Sequence, residues 1–77
     1  MRIKIYSTNS CPYCDMLKDF LRKNNIKFED IDVSQNQKAA KEMIEKSGQT
    51  GVPVTDIDGK IVIGFDKSRI EKLLKIK

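Results

Sequence analysis

Histidine is absent from these 77 residues, and cysteine occurs only twice. A structural zinc site needs four ligands, usually Cys or His, so one copy of the chain cannot complete one. Two cysteines also fall short of the several bridges that staple small secreted scaffolds. No segment reaches the ~18 consecutive apolar residues of a membrane helix. Met1-Arg2-Ile3-Lys4-Ile5 breaks any apolar run with charges. No signal peptide is therefore expected, and the location expected is cytoplasmic, where thiols stay reduced and disulfides are transient. Lys and Arg number 15 against 11 acids, a net charge of +4, yet there is no dense basic block. That pattern argues against nucleic-acid binding. A mildly cationic surface favours anionic thiol substrates in a general way. There is no repeat, low-complexity tract or linker, so residues 1–77 are expected to form a single domain. Its size is near the lower limit at which a core holds without staples.

What is present alternates between strand and helix patterns. Arg2 to Ser7 sets Ile3 and Ile5 against Lys4 and Tyr6 and reads as a strand. A helix is expected from Pro12 to Lys23, with Met16, Leu17, Phe20 and Leu21 as its apolar stripe. Proline suits the first helical position, and Asn24-Asn25 is a plausible stop. Ile26 to Val33 gives a second strand with Phe28, Ile31 and Val33 inward. Ser34 or Asn36 caps a second helix through Ala39, Ala40, Met43 and Ile44, ending at Gly48. Val52 to Ile57 and Lys60 to Ile63 form a hairpin across Asp58-Gly59, a dipeptide suited to positive φ. Asp66 caps a last helix with Ile70, Leu73 and Leu74 on one face. The order is βα-βα-ββα. A right-handed crossover makes the first two strands parallel, and the hairpin is antiparallel. The fold class is thus α/β: a four-stranded mixed sheet with three helices.

Both cysteines lie in Cys11-Pro12-Tyr13-Cys14, at the junction from first strand to first helix. A bridge enclosing two residues constrains the unfolded chain little, so stability is a poor reason for it. Redox cycling is the best use of the pair, ahead of coincidence or a metal or cluster site shared between two chains. Cys11 falls at the helix cap, where free N–H groups and the helix dipole favour negative charge. Its thiol pKa is therefore expected below that of a free cysteine. The thiolate is the attacking species in disulfide exchange, so Cys11 is the expected nucleophile and Cys14 the resolving thiol. Asp15 suits the dipole but works against a nearby thiolate. Lys18 could favour the thiolate electrostatically, but it lies about two turns in and reads first as a solvated helix lysine.

The chain resembles the glutaredoxin family. Cys11-Pro12-Tyr13-Cys14 matches its dithiol motif, Thr50-Gly51-Val52-Pro53 its T-x-V-P segment, and Gly64-Phe65-Asp66 its glycine-plus-aspartate turn before the last helix. The resemblance spans the whole chain and is nearest to small dithiol redoxins of bacteria and archaea. It implies a thioredoxin-like fold, catalytic Cys11 and Cys14 as a redox-active disulfide, and a cis Val52-Pro53 bond beside Cys11. It further implies that the Val52 backbone pairs with a peptide-like substrate, with Tyr13 and Thr50 beside the bound thiol compound. The backbone N–H groups of Phe65 and Asp66 would hold the γ-glutamyl carboxylate of glutathione, and the Asp66 side chain its ammonium. Asp66 can be a plain cap as well, Tyr13 an exposed turn residue, and Phe65 a packing residue.

Departures bear on the electron donor. Relatives that use glutathione often carry a basic residue where this chain has Thr8, flanked by Ser7 and Asn9. They often have two glycines where Ile63-Gly64 stands. Gly51 replaces a β-branched or polar residue, and Gln49 stands where some relatives have Arg. Redoxins served by thioredoxin reductase share the Gly-Phe turn but usually continue with Arg-Pro, and this chain continues with Asp66-Lys67.

The leading expectation is a glutaredoxin-type dithiol–disulfide oxidoreductase acting on disulfides or glutathione mixed disulfides. Glutathione is the co-substrate, and no cofactor is tightly bound. The second is a redoxin taking electrons from thioredoxin reductase and donating to an enzyme such as ribonucleotide reductase. A third is a dimeric iron–sulfur carrier built with two glutathiones, and a fourth a binding module using the groove near Val52 and Pro53. Expected partners are the electron donor and disulfide-containing proteins, with no nucleic acid, membrane or resident metal, and the chain a monomer.

Overall fold

The computed structural model describes residues 2–75, so Met1 of the charged N-terminal stretch lies outside them. Seven elements follow in order: β1 (Ile3–Ser7), α1 (Pro12–Lys23), β2 (Glu29–Asp32), α2 (Gln37–Ser47), β3 (Val54–Ile57), β4 (Lys60–Ile63) and α3 (Lys67–Leu74). The strands form one mixed sheet in the order β2-β1-β3-β4. β1 runs parallel to β2 and antiparallel to β3, and β3 runs antiparallel to β4. This is the βα-βα-ββα arrangement of a thioredoxin-like fold.

Local chemistry fixes the element boundaries. Each helix begins where a side chain accepts the N–H three residues on, satisfying one of the donors that a helix start leaves free. Asn36 Oδ1 caps α2 by accepting from Ala39 N–H at 3.0 Å. The other candidate, Ser34, is taken up in a turn with Asp32, whose Oδ1 accepts its N–H at 2.9 Å. Asp66 Oδ1 caps α3 by accepting from Arg69 N–H at 3.2 Å. The β3–β4 hairpin turns through Asp58 and Gly59, with φ of 50° and 90°. Positive φ at both central residues matches the right-handed twist of the flanking strands.

The two inner strands explain where the apolar residues sit. On one face of the sheet, Ile3, Ile5, Ile57 and Val62 pack with Leu17 and Leu21 of α1 and Ile70 of α3. On the other, Tyr6 and Val54 pack with Ala39 and Met43 of α2. Tyr6 is therefore fully buried rather than on a solvent face, because β1 is covered on both sides. Met16 and Ile44, expected in helical stripes, stay largely exposed. β2 is shorter than the Ile26 to Val33 run. Ile26 N–H is used to close the end of α1 on Leu21 O at 2.9 Å, and β1 pairs β2 only through Lys4 to Ser7. β3 starts at Val54 rather than Val52, since Pro53 has no N–H to give a ladder.

Register decides which loops meet. Tyr6 lies opposite Val54, and Val54 opposite Ile63. Gly64 N–H donates to Pro53 O at 2.8 Å, extending that pairing one step. The end of β1, the start of β3 and the end of β4 thus share one rim of the sheet. From that rim the chain runs through Thr8-Asn9-Ser10 into Cys11.

Candidate active site

Cys11 is the N-cap of α1, with extended backbone at φ −124° and ψ 99°. Its Sγ accepts the N–H of Cys14 at 3.1 Å, and its carbonyl accepts the N–H of Asp15 at 3.2 Å. Pro12 holds the first helical position, where an N–H would be unused. Cys11 and Cys14 are joined as a disulfide, with Cα atoms 5.2 Å apart. The two cysteines differ slightly in exposure, Cys11 8% and Cys14 0%. An incoming thiol therefore meets Cys11 first. When the disulfide opens, negative charge on Cys11 Sγ sits at the positive end of α1 and faces the N–H that the cap already holds.

The other expected residues occupy the same rim, in different roles. The Val52-Pro53 peptide is cis. Pro53 is buried, and Val52 is half-buried against the Tyr6 cluster. Among the described residues, neither the N–H nor the C=O of Val52 makes a hydrogen bond. Tyr13 is 62% exposed beside Cys11, and Thr50 is exposed. Phe65 packs on Phe20, with ring centroids 6.1 Å apart at 58°. Its side chain thus serves the core, while the N–H groups of Phe65 and Asp66 make no hydrogen bond among the described residues. The Asp66 carboxylate is exposed and is the α3 cap described above.

Two features of this rim have no local sequence signal. Lys18 is not a solvated helix lysine: its side chain is 13% exposed, and Nζ donates to Asp30 Oδ2 at 2.9 Å. Ser7 Oγ, buried at the end of β1, donates to the same carboxylate at 2.8 Å. Burial pushes the Asp30 carboxyl up, but the hydrogen bonds from Lys18 and Ser7 and the lysine charge outweigh it. The net result lies below the usual carboxylate range. The second feature is a set of hydrogen bonds around Gln49 in the loop before Val52. Both depend on residues brought together by the sheet and by the loop path, which periodicity does not report.

The α2 face of the sheet carries a separate polar network. Tyr6 Oη donates to Glu42, and Lys46 Nζ donates to Tyr6 Oη at 3.1 Å and to Asp56 Oδ2 at 2.8 Å. Burial raises the Tyr6 phenol, and the bond to Glu42 adds to it. The hydrogen bonds to Asp56 and Tyr6 raise the Lys46 ammonium. This network joins β1, α2 and β3.

A model of the glutaredoxin family matches residues 3–62. The chain belongs to the glutaredoxin family. It is 48% identical over 73 residues to an uncharacterised glutaredoxin-like protein of the rubredoxin operon of Clostridium pasteurianum, covering 95% of this chain and 97% of the other. It is 34% identical over 64 residues to glutaredoxin 3 of Escherichia coli K12, covering 83% of this chain and 77% of that one. In structure it resembles the glutaredoxin-like NrdH-redoxin of Escherichia coli, with a TM-score of 0.85, 30% identity and 95% of each chain covered. A glutaredoxin with a C-x-x-C pair at disulfide distance is a thiol–disulfide oxidoreductase. Among the described residues no helix is long and apolar enough to cross a membrane.

Proposed function

We propose that this glutaredoxin reduces protein disulfides and glutathione mixed disulfides through an asymmetric dithiol cycle. The observation that carries the reading is the difference between the two cysteines: Cys11, at the helix cap, keeps 8% of its surface exposed, and Cys14 behind it none. In the reduced protein, the Cys11 thiolate attacks one sulfur of the substrate disulfide. That S–S bond breaks, and the leaving thiolate takes a proton from solvent. Cys14, once deprotonated, attacks Cys11 Sγ in the resulting mixed disulfide. The second substrate thiol leaves, and the Cys11–Cys14 disulfide remains. Two electrons have passed to the substrate, and a dithiol or two thiol molecules must return them.

Cys14→Ser separates the roles. Incubated with a disulfide-containing peptide, the reduced variant should retain one covalent adduct on Cys11 and keep the monothiol route with glutathione. Cys11→Ser should retain none. An adduct on Cys14 of Cys11→Ser at the wild-type rate would overturn the assignment.

A second reading of the donor has its own support. The NrdH-redoxin that the chain matches over 95% of its length is described as having a thioredoxin-like activity profile. At this rim Thr8 stands where a cation would serve glutathione, and the Gln49 amide is engaged within its own loop. Thioredoxin reductase therefore stands beside glutathione as a candidate donor. Supplying the oxidised protein with each donor separately, and following thiol formation, decides between them.

A further inference from the structure

Gln49 closes a clasp on its own loop. Its Oε1 accepts the N–H of Gly51 at 2.7 Å, and its Nε2 donates to the C=O of Gly51 at 3.0 Å. One side-chain amide thus satisfies both backbone groups of Gly51, as a neighbouring strand would. The clasp is tied to the end of α2 through Ser47. Gln49 Nε2 and Gln49 N–H both reach Ser47 Oγ at 3.4 Å, and that oxygen lies 2.7 Å from Met43 O and 3.0 Å from Gln49 O, its single proton serving either. Gly51 is part of the fit: a Cβ there would meet Gln49 Oε1 at 2.8 Å.

The clasp has a consequence for the next residue. Val52 precedes a proline, which holds it in the extended region. Gln49 takes up both main-chain groups of Gly51, and the next N–H and C=O along the chain, those of Val52, stay unbonded among the described residues. We propose that Gln49 is a positioning residue that, by fixing Gly51, holds the free main-chain groups of Val52 in place for an incoming peptide. The site is thereby set for extended peptide disulfides, recognised through their main chain, over small disulfides that have none. The inference rests on the proposed function. A mobile Thr50–Val52 segment would have to be ordered by each incoming peptide, whereas the clasped one is ordered beforehand.

The test compares two oxidants on the dithiothreitol-reduced full chain in single turnovers: an extended peptide disulfide and bis(2-hydroxyethyl) disulfide. Gln49→Ala should raise the half-saturating peptide concentration about tenfold, the scale of one lost hydrogen bond, with the limiting rate and the small-disulfide rate unchanged within about twofold. Gly51→Ala, which displaces Oε1, should do the same. The double variant should be no worse than either single one, because both remove one interaction. Amide exchange at Gly51 should accelerate in Gln49→Ala, while exchange at Cys14 should not. Equal slowing of both oxidants, no change in either, or additive effects in the double variant would overturn the inference and leave the dithiol cycle standing. A wild-type protein that neither oxidant converts to the disulfide would overturn both.

Discussion

α1 and α3 begin on the same device with different atoms. At α1 the acceptor is a sulfur, Cys11 Sγ to Cys14 N–H at 3.1 Å; at α3 it is a carboxylate, Asp66 Oδ1 to Arg69 N–H at 3.2 Å. Sulfur is the weaker acceptor, so α1 gives up cap strength to place a reactive atom at its positive end. What lets it do so is packing. The 12-residue α1 buries Cys14, Leu17 and Leu21 completely. The 8-residue α3 fully buries only Ile70. The longer helix is held by the core and its cap is free for chemistry, whereas the shorter helix depends on its cap.

Several variants break or sharpen that contrast. Cys11→Ser should lower disulfide reduction at least about a thousandfold, since the attacking thiolate is gone. The same variant should unfold at or above the denaturant midpoint of the reduced wild type, because serine is a favoured cap. A large loss of stability would mean that the thiol, not the core, anchors α1. Leu17→Ala should destabilise by roughly 2–5 kcal/mol in chemical unfolding, the range for a fully buried leucine. Asp66→Ala should cost about 1 kcal/mol. It should also raise the half-saturating glutathione concentration if its N–H neighbours hold that ligand. Asn36→Ala, which removes the α2 cap away from the rim, should cost a similar ~1 kcal/mol and leave turnover unchanged. If Asn36→Ala impaired turnover as Asp66→Ala does, the caps would act through general stability rather than through the site.

The smallest effect is on acid stability. Asp56, like Asp30, lies below the usual carboxylate range. Burial pushes it up, but hydrogen bonds from Lys46 and the Gly59 N–H prevail. A carboxyl depressed in the folded state contributes stability above its unfolded value, near pH 4, and loses it as pH falls through the folded value. Unfolding free energy should therefore decline below about pH 4. Asp30→Asn and Asp56→Asn should each flatten that decline and be less stable than wild type only on the neutral side. A decline unchanged in both variants would remove the two ion pairs from the account.

The helix boundaries were legible because each is written locally. Pro12 after Cys11, Asn36 before its helix, Asp66 before Ile70 and the Asp58-Gly59 turn all act within three or four residues. Cys11 as the cap of α1 came from the same local logic, and the family's segments pointed to the cis Val52-Pro53 bond. What the sequence hid depends on how the chain is arranged in space, across the sheet or within a loop. Tyr6 alternates with isoleucines and reads as solvent-facing until α2 covers the second face of β1. Lys18 finds Asp30 only because β2 lies beside β1. Gln49 reads as a lost cation in a binding loop. Its amide instead folds back on Gly51, a contact that depends on the path of the loop.

The central claim is that the two sulfurs are unequal before any substrate arrives. Limited alkylation of the reduced protein with iodoacetamide, quenched at short times and mapped by tandem mass spectrometry, measures this directly. Cys11 should carry nearly all of the label near neutral pH, with Cys14 labelled only after unfolding. Equal labelling of the two, or labelling of Cys14 first, would contradict the account.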